Sequence, residues 1–315
     1  MVREAFVDLL GQATAVELLC SAIAQQQIAP AYLFVGPAGV GRRMAALRFT
    51  ELLLNRSASD RQSLRRRIMS RNHPDFLWVE PTYLHQGKPV TVTEAETLGV
   101  RRKSPPQIRL LQVREITQFL ARPPLESTQA VVLIEGAETM AEAAANGLLK
   151  TLEEPGKATL ILLAPDISAL LATIVSRCQH IPFRRLSHTN MVKVLEQVGE
   201  TTVLQQPDIL TMAQGSPGQA ITAWQQLQAL PEDLLTALQQ PPSNLRQALD
   251  LARRISKELD TESQFWLVDY LQHYYWQTQR SPTLIQALEK ARSYLRRFVQ
   301  PRLVWEVTLM SLIVS

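Results

Sequence analysis

The chain has 315 residues, of which 46% are hydrophobic and 20% charged, and its formal net charge at pH 7 is only +4. This composition is typical of a globular protein, and the length favours about two or three domains. The two cysteines, Cys20 and Cys178, are too few for a disulfide framework or a cysteine-rich zinc site, and they fit a reducing cytoplasm, which is the predicted location.

The amino-terminal residues lack the pattern of a signal peptide, because residues 1–8 include acids and contain no long apolar run. The most apolar stretch, residues 159–175, is interrupted by Pro165 and Asp166 and is too short to span a membrane. The sequence therefore predicts no membrane partner.

A glycine-rich turn at residues 36–43 has the frame of a phosphate-binding loop. Residues 31–35 before it predict a buried strand, and residues 44–49 after it predict a helix. The candidate phosphate-binding residues are Gly36, Gly39, Gly41, Arg42 and Arg43. However, Arg42 stands where such loops have a lysine, and Arg43 stands where they have the hydroxyl that holds Mg²⁺. The loop therefore predicts a site that cannot hydrolyse a nucleotide. Whether it still binds one is left open by the sequence.

Two segments of the first half have the composition of insertions. Residues 55–72 are polar and arginine-rich, which predicts an exposed helix or loop. Residues 83–107 have turn-forming residues at 85–89 and a basic tail that ends in prolines, so mobility is expected there. Basic pairs and triplets recur along the chain; they are typical of solvated surfaces and are also compatible with a nucleic-acid partner.

Strand-like apolar runs alternate with helical segments up to about residue 185, which is the pattern of a parallel sheet covered by helices. These runs are residues 33–35, 76–79, 131–134 and 160–163. Glu135 follows the third run, where a hydrolase places a carboxylate for Mg²⁺, and Gly136 stands where a second carboxylate would be. Two interpretations stay open here: a degenerate metal-carboxylate position at Glu135, or a buried strand that ends at a turn.

No strand pattern follows residue 185. The spacing of apolar residues predicts helices there, with a turn at 215–218 and a proline-containing linker at 239–244. The predicted helices include residues 191–198, 207–213, 219–230 and 303–314. Aromatic residues concentrate at 265–276, and such a stripe is most often part of a core.

Two segments make the chain resemble a known family. Residues 143–155, which end in Leu-Glu-Glu-Pro, and residues 171–178, which end in Ser-Arg-Cys, closely resemble the AAA+ subunits of DNA sliding-clamp loaders. Within that family, the altered phosphate loop points to the delta-prime group of the bacterial DNA polymerase III clamp loader. The resemblance implies an α/β plus all-α fold with three parts: an AAA+ base domain with a parallel sheet, a small helical lid and a helical collar. The predicted domains are residues 1–185, 186–240 and 241–315.

The resemblance also implies a role for Arg177, within the motif Ser176-Arg177-Cys178. In the family this arginine acts in trans on the γ-phosphate of ATP held by a neighbouring subunit, where a guanidinium stabilises the charge on the transferring phosphoryl group. The alternative is a surface salt bridge for Arg177. Cys178 is interpreted as a small buried hydrophobe rather than a nucleophile.

The sequence departs from the family at two further places. Many relatives carry a four-cysteine zinc module near residues 55–72, which this chain cannot form, so no metal site is predicted. The alternative is that packing of the arginine-rich helix stabilises this region in place of the metal. Active relatives place a nucleotide-sensing arginine near residues 215–220, where this chain has proline and glycine.

The resemblance therefore implies a clamp-loader subunit that does not hydrolyse ATP by itself, donates Arg177 and helps to load the sliding clamp onto primed DNA. No cofactor is required, and ATP and Mg²⁺ belong to the neighbouring subunit. The implied partners are ATPase subunits of the tau/gamma type, a delta-type subunit and, through the complex, the clamp and primer–template DNA. Two alternatives remain: an authentic ATPase with an unusual loop, and a standalone DNA-binding protein.

Overall fold

The computed structural model describes residues 2–55, 61–98, 105–297 and 299–313. The chain divides into two compact units. The first contains most of residues 2–194 together with residues 215–218, and the second contains residues 195–214 and most of 219–313. The finer division into domains at 1–185, 186–240 and 241–315 stays a prediction.

The first unit is built on a five-stranded sheet whose strands are all parallel. The strands of this unit are β1 (Ala31–Val35), β2 (Phe76–Val79), β3 (Thr82–His85), β4 (Lys88–Thr91), β5 (Ala130–Ile134), β6 (Ala158–Ala164) and β7 (Gln179–Pro182). The sheet has the order β2-β5-β6-β1-β7, and β3 and β4 form a separate antiparallel hairpin. The central strands β5 and β6 are buried along their whole length, which explains why their sequences are continuous apolar runs.

Helices cover the sheet and supply the other half of its core. They are α1 (Ala13–Ala24), α2 (Arg42–Leu54), α3 (Arg61–Met69), α4 (Val92–Thr97), α5 (Leu110–Leu120), α6 (Glu142–Glu153), α7 (Ala172–Val175) and α8 (His188–Gln197), which runs on into the second unit. In one core cluster of this unit, Leu148 of α6 and Ile174 of α7 pack with Val132 of β5 and Leu160 of β6. All four side chains are fully buried.

The four predicted strand runs are confirmed, since they lie within β1, β2, β5 and β6. Strand β7 is not among the predicted strand runs. Its residues Gln179 and His180 are exposed and only Ile181 is buried, because β7 is an edge strand paired with β1 alone. The predicted turn at 85–89 is confirmed as the hairpin between β3 and β4. Residues 56–60 and 99–104 of the two predicted insertions lie outside the described residues.

The second unit is helical in its described residues. Besides the end of α8 it contains α9 (Pro207–Ala213), most of α10 (Pro217–Ala229), α11 (Glu232–Leu238), α12 (Leu245–Glu258), α13 (Thr261–Thr278), α14 (Pro282–Arg296) and α15 (Pro301–Ile313). Its core is centred on Tyr275 and Trp305, which are fully buried. The indole N–H of Trp305 donates a 2.9 Å hydrogen bond to Gln264, and the hydroxyl of Tyr275 donates a 2.6 Å bond to the carbonyl of Leu238. These bonds satisfy polar groups that burial would otherwise leave unpaired.

Two sequence expectations need correction or completion here. The predicted turn at 215–218 is shorter than expected, because α10 already begins at Pro217, a residue whose fixed φ suits the first turn of a helix. The aromatic stripe at 265–276 belongs only in part to the core: Tyr270 and Tyr275 are buried, whereas Trp276 is 53% exposed. Residue 314 of the predicted last helix lies outside the described residues. None of the helices in the described part combines the length and apolar composition needed to cross a bilayer.

Candidate functional site

The predicted phosphate loop connects β1 to α2, so the strand, turn and helix that the motif requires are present in order. Gly41 immediately precedes the helix with φ 104°, a conformation that L side chains rarely adopt. A Cβ at this position would also lie 2.6 Å from Cδ1 of Leu9. The frame of the loop is therefore retained, with Gly36, Gly39 and Gly41 at the turn.

The two residues at the predicted metal positions bind each other. Nε and Nη2 of Arg43 donate hydrogen bonds of 2.8 and 2.6 Å to Oε1 of Glu135, which follows β5. The guanidinium also lies 5.7 Å from the centre of the Trp78 ring. In a working hydrolase the equivalent hydroxyl and carboxylate hold Mg²⁺ between them. Here the cation at that place is the guanidinium itself, so these residues do not fit a magnesium ion.

Arg42, at the lysine position, is a basic residue whose side chain is partly removed from solvent. Burial lowers the pKa of Arg42, an effect that nearby Glu138 and Glu135 oppose. Burial also raises the pKa of Glu138. Among the described residues, Nη1 of Arg42 has no hydrogen-bond partner. The loop therefore keeps a positive charge near its glycines but presents it without the metal-binding pair.

Residues 216–218, where α10 begins, pack directly on the loop. Ser216 donates a 2.8 Å hydrogen bond to the carbonyl of Ala38, and the N–H of Gly218 donates a 3.0 Å bond to the carbonyl of Gly39. A Cβ on Gly218 would lie 2.7 Å from the Cα of Gly39, closer than real Cβ contacts. The absence of an arginine near this turn thus has a steric counterpart, since position 218 has no room for any side chain.

Arg177 and this loop lie at opposite ends of the parallel strands. The loop and Glu135 follow the carboxyl ends of β1 and β5, whereas Arg177 precedes the amino end of β7. In the parallel register, Gln179 lies opposite Tyr32. Arg177 is two residues before Gln179 and the loop begins four residues after Tyr32, which puts roughly 20 Å between them along the strands. Arg177 cannot serve the chain's own loop.

The guanidinium of Arg177 is held by two acceptors of the same chain. Nε and Nη2 donate bonds of 3.1 and 2.5 Å to Oε1 of Glu153 at the end of α6, and Nη1 donates a 2.9 Å bond to the carbonyl of Thr173. The side chain is 35% exposed and that of Glu153 is 51% exposed. The salt bridge considered for Arg177 from the sequence is therefore present, and its partner was not identified there.

Ser176 and Cys178, the neighbours of Arg177, contact residues of the first unit. The hydroxyl of Ser176 donates a 3.2 Å hydrogen bond to the carbonyl of Thr173. Cys178 packs partly buried against the core of the first unit, and burial raises the pKa of its thiol to about 12. A thiol with such a pKa is protonated at neutral pH and is a poor nucleophile. In the described part of the chain, no group of three or more acidic, histidine or cysteine side chains is placed to hold a metal ion.

Comparison with known proteins identifies the family. Residues 11–187 match the family model described as "DNA polymerase III, delta subunit", and residues 189–312 match the model described as "Cyanobacterial DNA polymerase III delta prime, C-terminal domain". The chain belongs to the delta-prime family of DNA polymerase III subunits. The resemblance inferred from the sequence is therefore confirmed.

Curated members of the delta-prime family give the same result. The chain is 33% identical over 180 residues to DNA polymerase III subunit delta' of Bacillus subtilis, which covers 56% of this chain and 48% of that protein. It is 42% identical over 118 residues to the subunit delta' of Haemophilus influenzae, which covers 37% of this chain and 35% of that protein. The matches therefore span less than half of the length of these relatives.

A solved structure supports the fold of this delta-prime family member. A DNA polymerase III gamma subunit-related protein from Thermotoga maritima superposes with a TM-score of 0.50 at 17% sequence identity, covering 94% of this chain and 97% of that one. At this identity the likeness concerns the fold alone. The fold class predicted from the sequence, an AAA+ parallel-sheet domain followed by helical domains, is confirmed.

Proposed function

We propose that this chain is a clamp-loader subunit that does not hydrolyse ATP and that donates Arg177 to the ATP site of a neighbouring subunit. Relatives of this chain include proteins named DNA polymerase III subunit delta', subunit tau and subunit gamma. The proposed partners are ATPase subunits of the tau/gamma type and a delta-type subunit. Through that heteromeric complex the chain helps to load a sliding clamp onto primed DNA.

The observation that carries this proposal is the position of Arg177. It is partly exposed, and it precedes the amino end of β7, whereas the chain's own phosphate loop follows the carboxyl end of β1. Such an arginine can complete a phosphoryl-transfer site only in another chain. A guanidinium placed there stabilises the charge on the transferring phosphoryl oxygens and contributes on the order of 10³–10⁵ in rate.

The loop supports the non-hydrolysing part of the proposal. Hydrolysis needs a metal ion held between the loop and the carboxylate strand, and a carboxylate or amide that orients water. Arg43 and Glu135 are instead paired with each other, and Gly136 follows. We infer that this chain requires no cofactor of its own, and that the ATP and Mg²⁺ of the reaction are held by the neighbouring subunit.

The test is DNA-stimulated ATP hydrolysis by the reconstituted loader, with the wild-type chain compared with its Arg177→Ala variant. The matched control is Arg122→Ala, since Arg122 is an exposed arginine of the same unit. We expect a clear fall in turnover for Arg177→Ala despite intact assembly, no change for Arg122→Ala, and no turnover by the lone chain.

Other outcomes would favour the alternatives. Unchanged turnover of the Arg177→Ala complex would reduce Arg177 to a structural residue. Hydrolysis by the lone chain that is abolished by Glu135→Ala would indicate an authentic ATPase. Tight DNA binding by the lone chain, with a steep dependence on salt concentration, would favour a standalone DNA-binding protein.

A further inference from the structure

We infer that Glu153 is the positioning residue for Arg177: its carboxylate fixes the plane of the guanidinium that the neighbouring site receives. The inference rests on the proposed function of Arg177 and adds to it the residue of this chain that holds the arginine in a productive orientation. Glu153 is the last residue of α6, and Arg177 follows the short helix α7.

The geometry of the pair orients the guanidinium rather than burying it. A guanidinium has five N–H donors in a rigid planar fork. Two of them, from Nε and Nη2, go to the same carboxylate oxygen of Glu153, and one from Nη1 goes to the carbonyl of Thr173. Acceptors on two different elements fix both the plane and the rotation of the group. Among the described residues, the two remaining donors have no hydrogen-bond partner, so they are available to an anion from outside the chain.

Stability is a poor explanation for this pair. Both side chains are substantially exposed, at 35% and 51%, and exposed ion pairs contribute little to stability because water screens the charges and side-chain entropy is lost. An arginine on a flexible stem would otherwise sample many rotamers, and a catalytic group that is misplaced by 1 Å can lose on the order of 10² in rate. Holding Arg177 in one orientation is therefore useful chiefly for a transfer reaction in another chain.

The neighbouring residue Glu154 offers a matched control for the role of Glu153. Glu154 is the next residue, it carries the same charge, and it is also exposed. In the described structure no hydrogen bond or ion pair joins Glu154 to Arg177. A role that depends on local negative charge would be affected by either substitution, whereas a role that depends on the bonds to the guanidinium would be affected only at Glu153.

The experiment measures kcat and KM for ATP in the reconstituted, DNA-stimulated loader with four variants of this chain: Glu153→Ala, Glu153→Gln, Glu154→Ala and Arg177→Ala. We expect Glu153→Ala to lower kcat about tenfold or more at the completed site, with a smaller change in KM for ATP, because orientation matters most in the transition state. Glu153→Gln keeps an acceptor oxygen and should recover part of that loss. Glu154→Ala should behave as the wild type, and urea unfolding should show all four variants equally folded.

A double-variant cycle separates positioning from any independent effect. If Glu153 acts only through Arg177, the variant with both Glu153→Ala and Arg177→Ala will have the turnover of Arg177→Ala alone. An additive further loss would overturn the inference. So would unchanged turnover of Glu153→Ala beside a clear loss for Arg177→Ala, a result that leaves the proposed function intact. A rise in turnover for Glu153→Ala would mean that Glu153 restrains the arginine instead. If Arg177→Ala itself has no effect, the proposed function fails first.

Discussion

Replacement of Asp75 by asparagine should destabilise the first unit, because this carboxylate organises a loop fifty residues away in the sequence. Asp75 precedes β2 and is 2% exposed. Its two oxygens accept the backbone N–H groups of Leu125, Glu126 and Ser127 at 2.6, 2.8 and 2.6 Å. Burial by itself would raise the pKa of Asp75, but these three bonds outweigh it and lower the pKa below its ordinary value.

The size of the effect follows from the number of bonds. An asparagine side chain keeps one oxygen, which can accept at the position that now receives Glu126 and Ser127, but it turns an NH₂ group toward the N–H of Leu125. Hydrogen bonds to a charged group are each worth about 1.5–3 kcal/mol, and a buried donor left without a partner costs about 1–3 kcal/mol. We expect Asp75→Asn to lower the free energy of unfolding by about 3 kcal/mol, which corresponds to roughly 6–12 °C in the melting temperature of a unit of this size.

Urea unfolding followed by circular dichroism measures the stability change, and hydrogen exchange of the backbone amides of residues 125–127 localises it. Asp166→Asn is the matched control, because Asp166 also accepts a backbone N–H, that of Ser168, but at an exposed site. The difference between wild type and Asp75→Asn should be full above the ordinary carboxyl pKa of about 3.9 and should close as the pH falls through the lower pKa of the native state.

Two results would refute this reasoning. An unchanged urea midpoint for Asp75→Asn would mean that the three N–H groups find equivalent partners without the carboxylate. A stability difference that persists at low pH, where Asp75 is protonated in both states, would mean that charge is not the source of the effect.

The remaining predictions concern packing and reactivity. Gly218→Ala should destabilise the chain by about 1–3 kcal/mol in urea unfolding, because its Cβ would be forced against the backbone of Gly39; equal stability would contradict the close approach. Tyr275→Phe should cost about 1–2 kcal/mol in the same assay, because it leaves the carbonyl of Leu238 buried without its 2.6 Å bond, and a neutral result would mean that water reaches that carbonyl. Cys178, whose thiol pKa is raised to about 12, should resist iodoacetamide at pH 8 in the native chain and react in urea, as measured by peptide mass; rapid native alkylation would contradict its packing.

The sequence was sufficient for the elements that depend on local apolar patterns. The strands that became β5 and β6 are buried on both faces, so their sequences are unbroken apolar runs that predict a parallel sheet. The helix after the glycine turn and the helices found in the described residues after 185 were predicted from the helical spacing of their apolar residues. By contrast, β7 contributes a single buried residue, Ile181, and an edge strand of this kind carries almost no periodic signal.

The polar contacts of the candidate site could not be predicted, because they join residues that are distant in sequence. Arg43 and Glu135 are 92 residues apart, and Arg177 and Glu153 are 24 apart. The apolar pattern placed Glu135 correctly after a buried strand, whereas Arg43, expected in the loop, lies in the first turn of α2. Only the register of the sheet determines which charges meet. The sequence did carry a signal for Glu153 that was overlooked. Glu153 precedes strand β6 and Arg177 precedes strand β7, so in a parallel sheet both residues lie at the amino ends of the strands.

The pairing of Arg43 with Glu135 suggests how such a loop could lose its metal and remain stable. A carboxylate at the end of a buried strand, such as Glu135 after β5, would be unpaired if the metal were simply absent, and an unpaired, partly buried charge is costly. Arg43 supplies the missing positive charge from within the chain, and Trp78 contacts its guanidinium. The carboxylate of Glu135, at the carboxyl ends of the strands, is thereby paired without a ligand. Arg177, at the amino ends of the strands, is held instead by Glu153 and Thr173. Because Arg43 and Arg177 have different hydrogen-bond partners, chemistry can be lost at the phosphate loop while Arg177 stays oriented.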